Sequence, residues 1–102
     1  MNLWNHLWCV VTADRDKAAA LIESIERDHQ AKVCYRINGV DKVLIQFTDG
    51  VRLRWIRPTE SARGYRIGKL WCDTDVDRGI LNTVILPKYR GKVDDIVWFG
   101  GK

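Results

Sequence analysis

The sequence predicts an α+β domain in which one amphipathic helix packs on a mostly antiparallel, twisted β-sheet, in the order β-α-β-β-β-β-β-β. Three observations predict it. One stretch, residues 14–29, repeats its apolar residues at helical steps. The remaining apolar residues fall in short runs divided by Asn38-Gly39, Asp49-Gly50, Pro58 and Pro87, which punctuate strands. A length of 102 residues, without repeat, linker or low-complexity segment, suits a single domain over residues 1–102.

Residues 3–11, LWNHLWCVV, form an apolar run ending in aromatic and β-branched residues, as a strand does. On such a strand His6 falls on the same face as Trp4 and Trp8, which could stack on a base. Asp14 is placed to cap a helix, and Ala18, Leu21, Ile22 and Ile25 give that helix one apolar stripe. Residues 32–37 read as a strand, Asn38-Gly39 as a turn, and residues 43–47 as the next strand. Asp49-Gly50 predicts a hairpin with a two-residue loop. That register pairs Gln46 with Leu53 and Leu44 with Trp55, because directly paired residues share a face. Arg52 and Arg54 then lie across Phe47 and Ile45, on a face that must be solvated or meet an anion, since an unpaired buried charge is costly. After Pro58 and a loop, residues 65–72 alternate as a strand, residues 80–86 (ILNTVIL) form another, and residues 93–99 the last.

Composition narrows the function classes. Net charge is +4 and the pI is near 9.2, mildly basic and compatible with nucleic acid or an acidic protein surface. Three cysteines, Cys9, Cys34 and Cys72, are an odd set without Cys-x-x-Cys spacing. This argues against a disulfide framework or zinc site and for small buried thiols in a reducing, cytoplasmic setting. No stretch is long and apolar enough to span a membrane, and the N-terminal run lacks the basic segment of a secretion signal. Five tryptophans are many for the length, and Trp is seldom fully buried, so some are expected at a groove or interface.

The chemistry-bearing stretch is residues 47–77. Between Val51 and Cys72 six cations (Arg52, Arg54, Arg57, Arg63, Arg66, Lys69) stand against one acid, Glu60. Asp73, Asp75 and Asp77 close it. Gly64 to Leu70 fails as a phosphate loop, because three residues separate Gly64 from Gly68 and Leu70 stands where Ser or Thr would hold magnesium. Asp73 to Val84 fails as a calcium loop, because Gly79 comes one residue late and Val84 replaces the twelfth-position glutamate. The acids are read as a polar turn pairing with Arg66 or Arg78, with no metal site and no cofactor. Two histidines, His6 and His29, assemble no nucleophilic triad.

Phe47-Thr48-Asp49-Gly50-Val51-Arg52-Leu53, then Ser61-Ala62-Arg63-Gly64, then residues 68–73 resemble the hairpin, Ser-x-Arg-Gly loop and Walker B strand in the ATPase lobe of phage large terminases. The likeness spans residues 47–74. Thr74 stands where that family has its water-polarising glutamate, and no Walker A lies upstream. The resemblance therefore implies phage origin without hydrolysis. The expectation is a small, cytoplasmic, non-enzymatic phage-type protein. It would bind nucleic acid or a nucleotide through Arg52, Arg54, Arg63, Arg66 and Lys69, with Trp4, Trp8, Trp55, Tyr65 and Trp71 as stacking or interface residues. The rival expectation is an anti-defence protein, an inhibitor of a host system such as a CRISPR effector, anchored by exposed Trp and Arg. A metal-dependent hydrolase using Asp73 and Asp75 is a third.

Overall fold

The structure, a computed structural model, describes residues 6–100. Strand β1 (Leu7–Val11) leads into helix α1 (Arg15–Asp28). Strands β2 (Val33–Asn38), β3 (Val43–Phe47) and β4 (Arg52–Ile56) follow, then a 3-10 turn (Glu60–Gly64) and β5 (Lys69–Asp73). Helix α2 (Arg78–Ile80) runs on through a π turn (Leu81–Ile85) into a 3-10 turn (Leu86–Lys88). A further 3-10 turn (Val93–Asp95) precedes β6 (Val97–Phe99).

The class is α+β, but the sheet is mixed rather than mostly antiparallel. Its order is β2-β3-β4-β1-β5-β6. The β1–β4, β1–β5 and β5–β6 pairs are parallel, and only β2–β3 and β3–β4 are antiparallel. The reason lies in β1. Cys9, Val10 and Val11 are all fully buried, so β1 is covered on both faces, as parallel strands are. Leu7–Val11 is an unbroken apolar run, as strands buried on both faces are.

Each face has its own core. Val10, Ala18, Ile22, Ile25, Ile45, Phe47, Leu53, Trp55 and Trp71 pack beneath α1. Cys9, Val11, Ile56, Ile67, Leu70, Cys72, Leu81, Val84 and Ile85 pack on the other face. Helix α1 starts as expected, with the Asp14 carboxylate accepting from the Asp16 and Lys17 backbone N–H groups.

Two expectations need correction. The strand expected over residues 80–86 is helical. Leu81, Val84 and Ile85 are buried while Asn82 and Thr83 are exposed, which is a helical spacing. Asp77 caps the start by accepting from Ile80 N–H, and the Thr83 hydroxyl donates to the Gly79 carbonyl. The order is thus β-α-β-β-β-β-α-β among the described residues. The Asp49-Gly50 hairpin has three loop residues rather than two. Phe47 N–H donates to Val51 O at 2.8 Å, so Thr48, Asp49 and Gly50 form the loop, with Gly50 at φ +92°. Ile45 therefore faces Leu53 and Leu44 faces Arg54. One residue of slip exchanges the faces: Leu53 and Trp55 join Ile45 and Phe47 under α1.

At the sheet's other end, β5 pairing starts at Lys69, later than the expected residue 65, and β6 starts at Val97 after a 3-10 turn. All three cysteines are free. Cys9 and Cys72 are buried, and burial raises both thiol pKa values, Cys72 to about 11. Cys34 is exposed on β2, against the expectation of a buried thiol. Among the described residues no helix is long and apolar enough to cross a membrane.

Candidate functional site

The predicted basic surface does not stay together: β1 lies between β4 and β5, and Lys69, in register with Trp8, falls on the α1 face.

Arg52 and Arg66 come together. Arg52 opens β4 beside Leu7 of β1, just past the left-handed Gly50. Arg66 precedes Ile67, which is pinned by Ile67 N–H to Lys88 O and Arg90 N–H to Ile67 O, both 2.8 Å. Gly68 N–H to Leu7 O, also 2.8 Å, fixes this segment against β1. The result is a groove of about 440 Å³ at the N-terminal ends of the parallel strands, lined by His6, Leu7, Gly50, Arg52, Gly64, Tyr65 and Arg66. None of the lining side chains is a carboxylate.

The other predicted cations are engaged elsewhere. Arg54 shares the Arg52 face, but its guanidinium lies 4.5 Å from the Tyr65 ring centroid and its buried Nε has no hydrogen-bond partner. Arg63 pairs with Glu60 at 2.5 Å and donates to Thr83 O at 3.2 Å, tying the 3-10 turn to the helical segment. Lys69 is on the opposite face, 4.8 Å from the Trp8 ring and 5.0 Å from the Trp71 ring. Arg15, Arg27, Arg36 and Arg57 also hold carboxylates, and Arg78 lies over Trp98. Arg52 and Arg66 do neither among the described residues, and both face the same groove.

The aromatic candidates divide likewise. Tyr65 lines the groove. Trp55 is core: its indole Nε1–H donates to Thr12 O at 2.8 Å. Trp8 and Trp71 pack together under the C-terminal half of α1, ring centroids 5.8 Å apart. Trp4, and with it the expected Trp4–His6–Trp8 face, lies outside the described residues. His6 instead joins the groove, a placement that only the hairpin geometry around Gly50 reveals.

The three aspartates do not pair with Arg66 or Arg78. Buried Asp73 accepts from the Thr12 hydroxyl at 2.6 Å, the Asp75 N–H at 3.0 Å and Lys17 Nζ at 3.4 Å. Burial pushes this carboxyl up, but the Thr12 hydroxyl, the Asp75 N–H and Lys17 outweigh it and hold it below its usual range. Asp75 pairs with Lys17 at 3.6 Å, and Asp77 caps α2. These residues line a cleft of about 280 Å³ at the C-terminal ends of β1 and β5. Among the described residues no group of three or more His, Cys, Asp or Glu side chains is placed to hold a metal ion.

No protein-family model, curated protein or solved structure matches this chain.

Proposed function

We propose that this chain is a non-enzymatic binder of nucleic acid that takes phosphate groups at Arg52 and Arg66, with Tyr65 as a stacking surface. The observation that supports it is the convergence of two arginines without carboxylate partners on one carboxylate-free groove beside an aromatic ring. Arginine forks match phosphate oxygens, and an aromatic face accepts any base, so contact of this kind is strong in charge and weak in sequence.

Fluorescence anisotropy with short single- and double-stranded oligonucleotides at several salt concentrations tests this. Two phosphate contacts give a log–log salt slope of about −1.4 for single strands. Replacing Arg52 and Arg66 together by Ala should weaken binding by similar factors across sequences and flatten the slope by about that amount. Wild-type protein that binds no oligonucleotide below about 100 µM at low salt is weaker than ordinary non-specific association. That outcome overturns the reading and directs attention to a protein partner.

A further inference from the structure

A second, smaller cleft of about 120 Å³ lies against Tyr65, the residue it shares with the groove. Arg54, Arg57, Ser61 and Asp41 line it. It is much smaller than the groove of about 440 Å³, a size suited to a single phosphate group.

Its cations are held in place already. Arg54 lies 4.5 Å from the Tyr65 ring centroid and Arg57 4.4 Å from that of Trp55. Cation–π contact fixes each guanidinium, so little side-chain freedom is left to lose when an anion arrives. Both cations also retain binding capacity. The Arg54 Nε is buried without an acceptor, a costly state for a donor. Arg57 meets Asp41 at 3.4 Å, but that carboxylate is 87% exposed, and such pairs contribute little. Ser61 exchanges a hydrogen bond with Thr59 at 2.7 Å and offers a hydroxyl beside the two arginines.

Resting on the nucleic-acid reading above, we infer that the small cleft is a second phosphate subsite and that the ligand is a single strand crossing Tyr65, with phosphates on both sides of the ring. Arg52 and Arg54 alternate on one strand face, so their Cα atoms lie about 6.7 Å apart, two residues of β-strand rise. That equals about two steps of a stacked nucleic-acid strand at about 3.4 Å each. A mononucleotide can fill one subsite only, whereas a strand fills both.

The test is anisotropy with fluorescein-labelled (dT)12, with thymidine 5′-monophosphate as competitor, on wild type, Arg52→Ala/Arg66→Ala, Arg57→Ala and Arg54→Gln. Four contacts predict a wild-type slope of about −2.8, against about −1.4 for the groove alone. Arg57→Ala and Arg54→Gln should each weaken (dT)12 and flatten the slope by about 0.7. The monophosphate should compete only at far higher concentration than unlabelled (dT)12. If the groove variant loses affinity while Arg57→Ala keeps wild-type affinity and slope, the second subsite is refuted and the groove survives. Because Arg57 is exposed, that variant decides even if Arg54→Gln fails to fold. Equal competition by the monophosphate also refutes the two-subsite strand. If (dT)12 does not bind at all, both the subsite and the groove reading fall.

Discussion

Gly50 sets the groove at the scale of one residue. Its φ of +92° is a conformation that costs a side-chain-bearing residue about 1–3 kcal/mol. Space is not the obstacle, because an added Cβ would meet the His6 Nδ1 at 3.7 Å, an ordinary contact. Conformation therefore decides, and the replacement should matter by type. Gly50→Val should destabilise by at least about 1 kcal/mol, and Gly50→Asn by clearly less, since Asn tolerates positive φ where β-branched residues do not. Urea denaturation of the two variants checks this, and equal losses would mean that crowding rather than φ is responsible. The same glycine was legible in the sequence as a turn residue, but its turn type was not. Asp49 closes the loop as an Asx turn, accepting from Val51 N–H at 3.0 Å, and also meets His29 Nε2 at 2.8 Å. That long-range partner has no sequence signal, and the loop is one residue longer than the Asp-Gly pair alone implies.

At the scale of elements, sequence patterns work where the determinants are local and fail where they are not. Helix α1 was legible because its cap and its apolar stripe both lie within residues 14–29. The segment 80–86 was misread because Ile80, Thr83, Val84 and Ile85 are β-branched, which favours strands. Yet Leu81, Val84 and Ile85 are buried while Asn82 and Thr83 are exposed, a helical spacing, and Asp77 supplies a cap that no strand needs. Tertiary packing against the Cys9 and Cys72 face overrides propensity there. A substitution that follows propensity should then stabilise the protein. Asn82 is exposed within the π turn, so Asn82→Ala should raise stability by about 0.5 kcal/mol, as in a helix. A loss of similar size, measured by thermal and urea unfolding, would indicate extended backbone instead. The parallel neighbours of β1 were illegible for a different reason: β4 and β5 follow it by more than forty residues, and no turn joins them to it. Lys69 is in register with Trp8 and Leu53 on the face under α1, while Arg52 is in register with Leu7 on the groove side, and the single basic surface expected from the sequence comes apart.

At the scale of the molecule, the polar centre around Asp73 ties together elements that hydrophobic contact alone leaves free to slide. Through side-chain hydrogen bonds Asp73 joins β5 to the end of β1 by Thr12 and to α1 by Lys17. Thr74 N–H reaches Phe99 O of β6 at 2.9 Å, and Gly100 sits so close that a Cβ there would meet Asp73 Oδ1 at 2.8 Å. The sequence displayed the three aspartates but not this centre, since Thr12, Lys17 and Asp73 meet only once β1 and β5 pair. Its energetic signature is a dependence on pH. The Asp73 carboxyl is held below its usual range in the fold, whereas in the unfolded chain it titrates near the ordinary aspartate value of about 3.9. A depressed carboxylate contributes stability that is fully present above the unfolded value and disappears as pH falls through the folded one. Glu26, lowered by Arg36, and Asp49, lowered first by Val51 N–H and then by His29, act in the same direction. Stability should therefore be insensitive to these groups between about pH 5 and 7 and fall below about pH 4. Thr12→Val removes the hydroxyl that donates to the charged Asp73 carboxylate, and with it the acceptor of the Asp14 N–H at 3.1 Å, so the pH-dependent part of the loss is the Asp73 share. At pH 7 the variant should lose about 1.5–3 kcal/mol, the contribution of a hydrogen bond to a charged group. As pH drops from 5 to 2 the gap between variant and wild type should narrow, since a protonated Asp73 has less to gain from that donor. Urea denaturation of both proteins across this range reads the gap directly, and a gap that stays constant would mean Thr12 serves packing rather than the carboxylate.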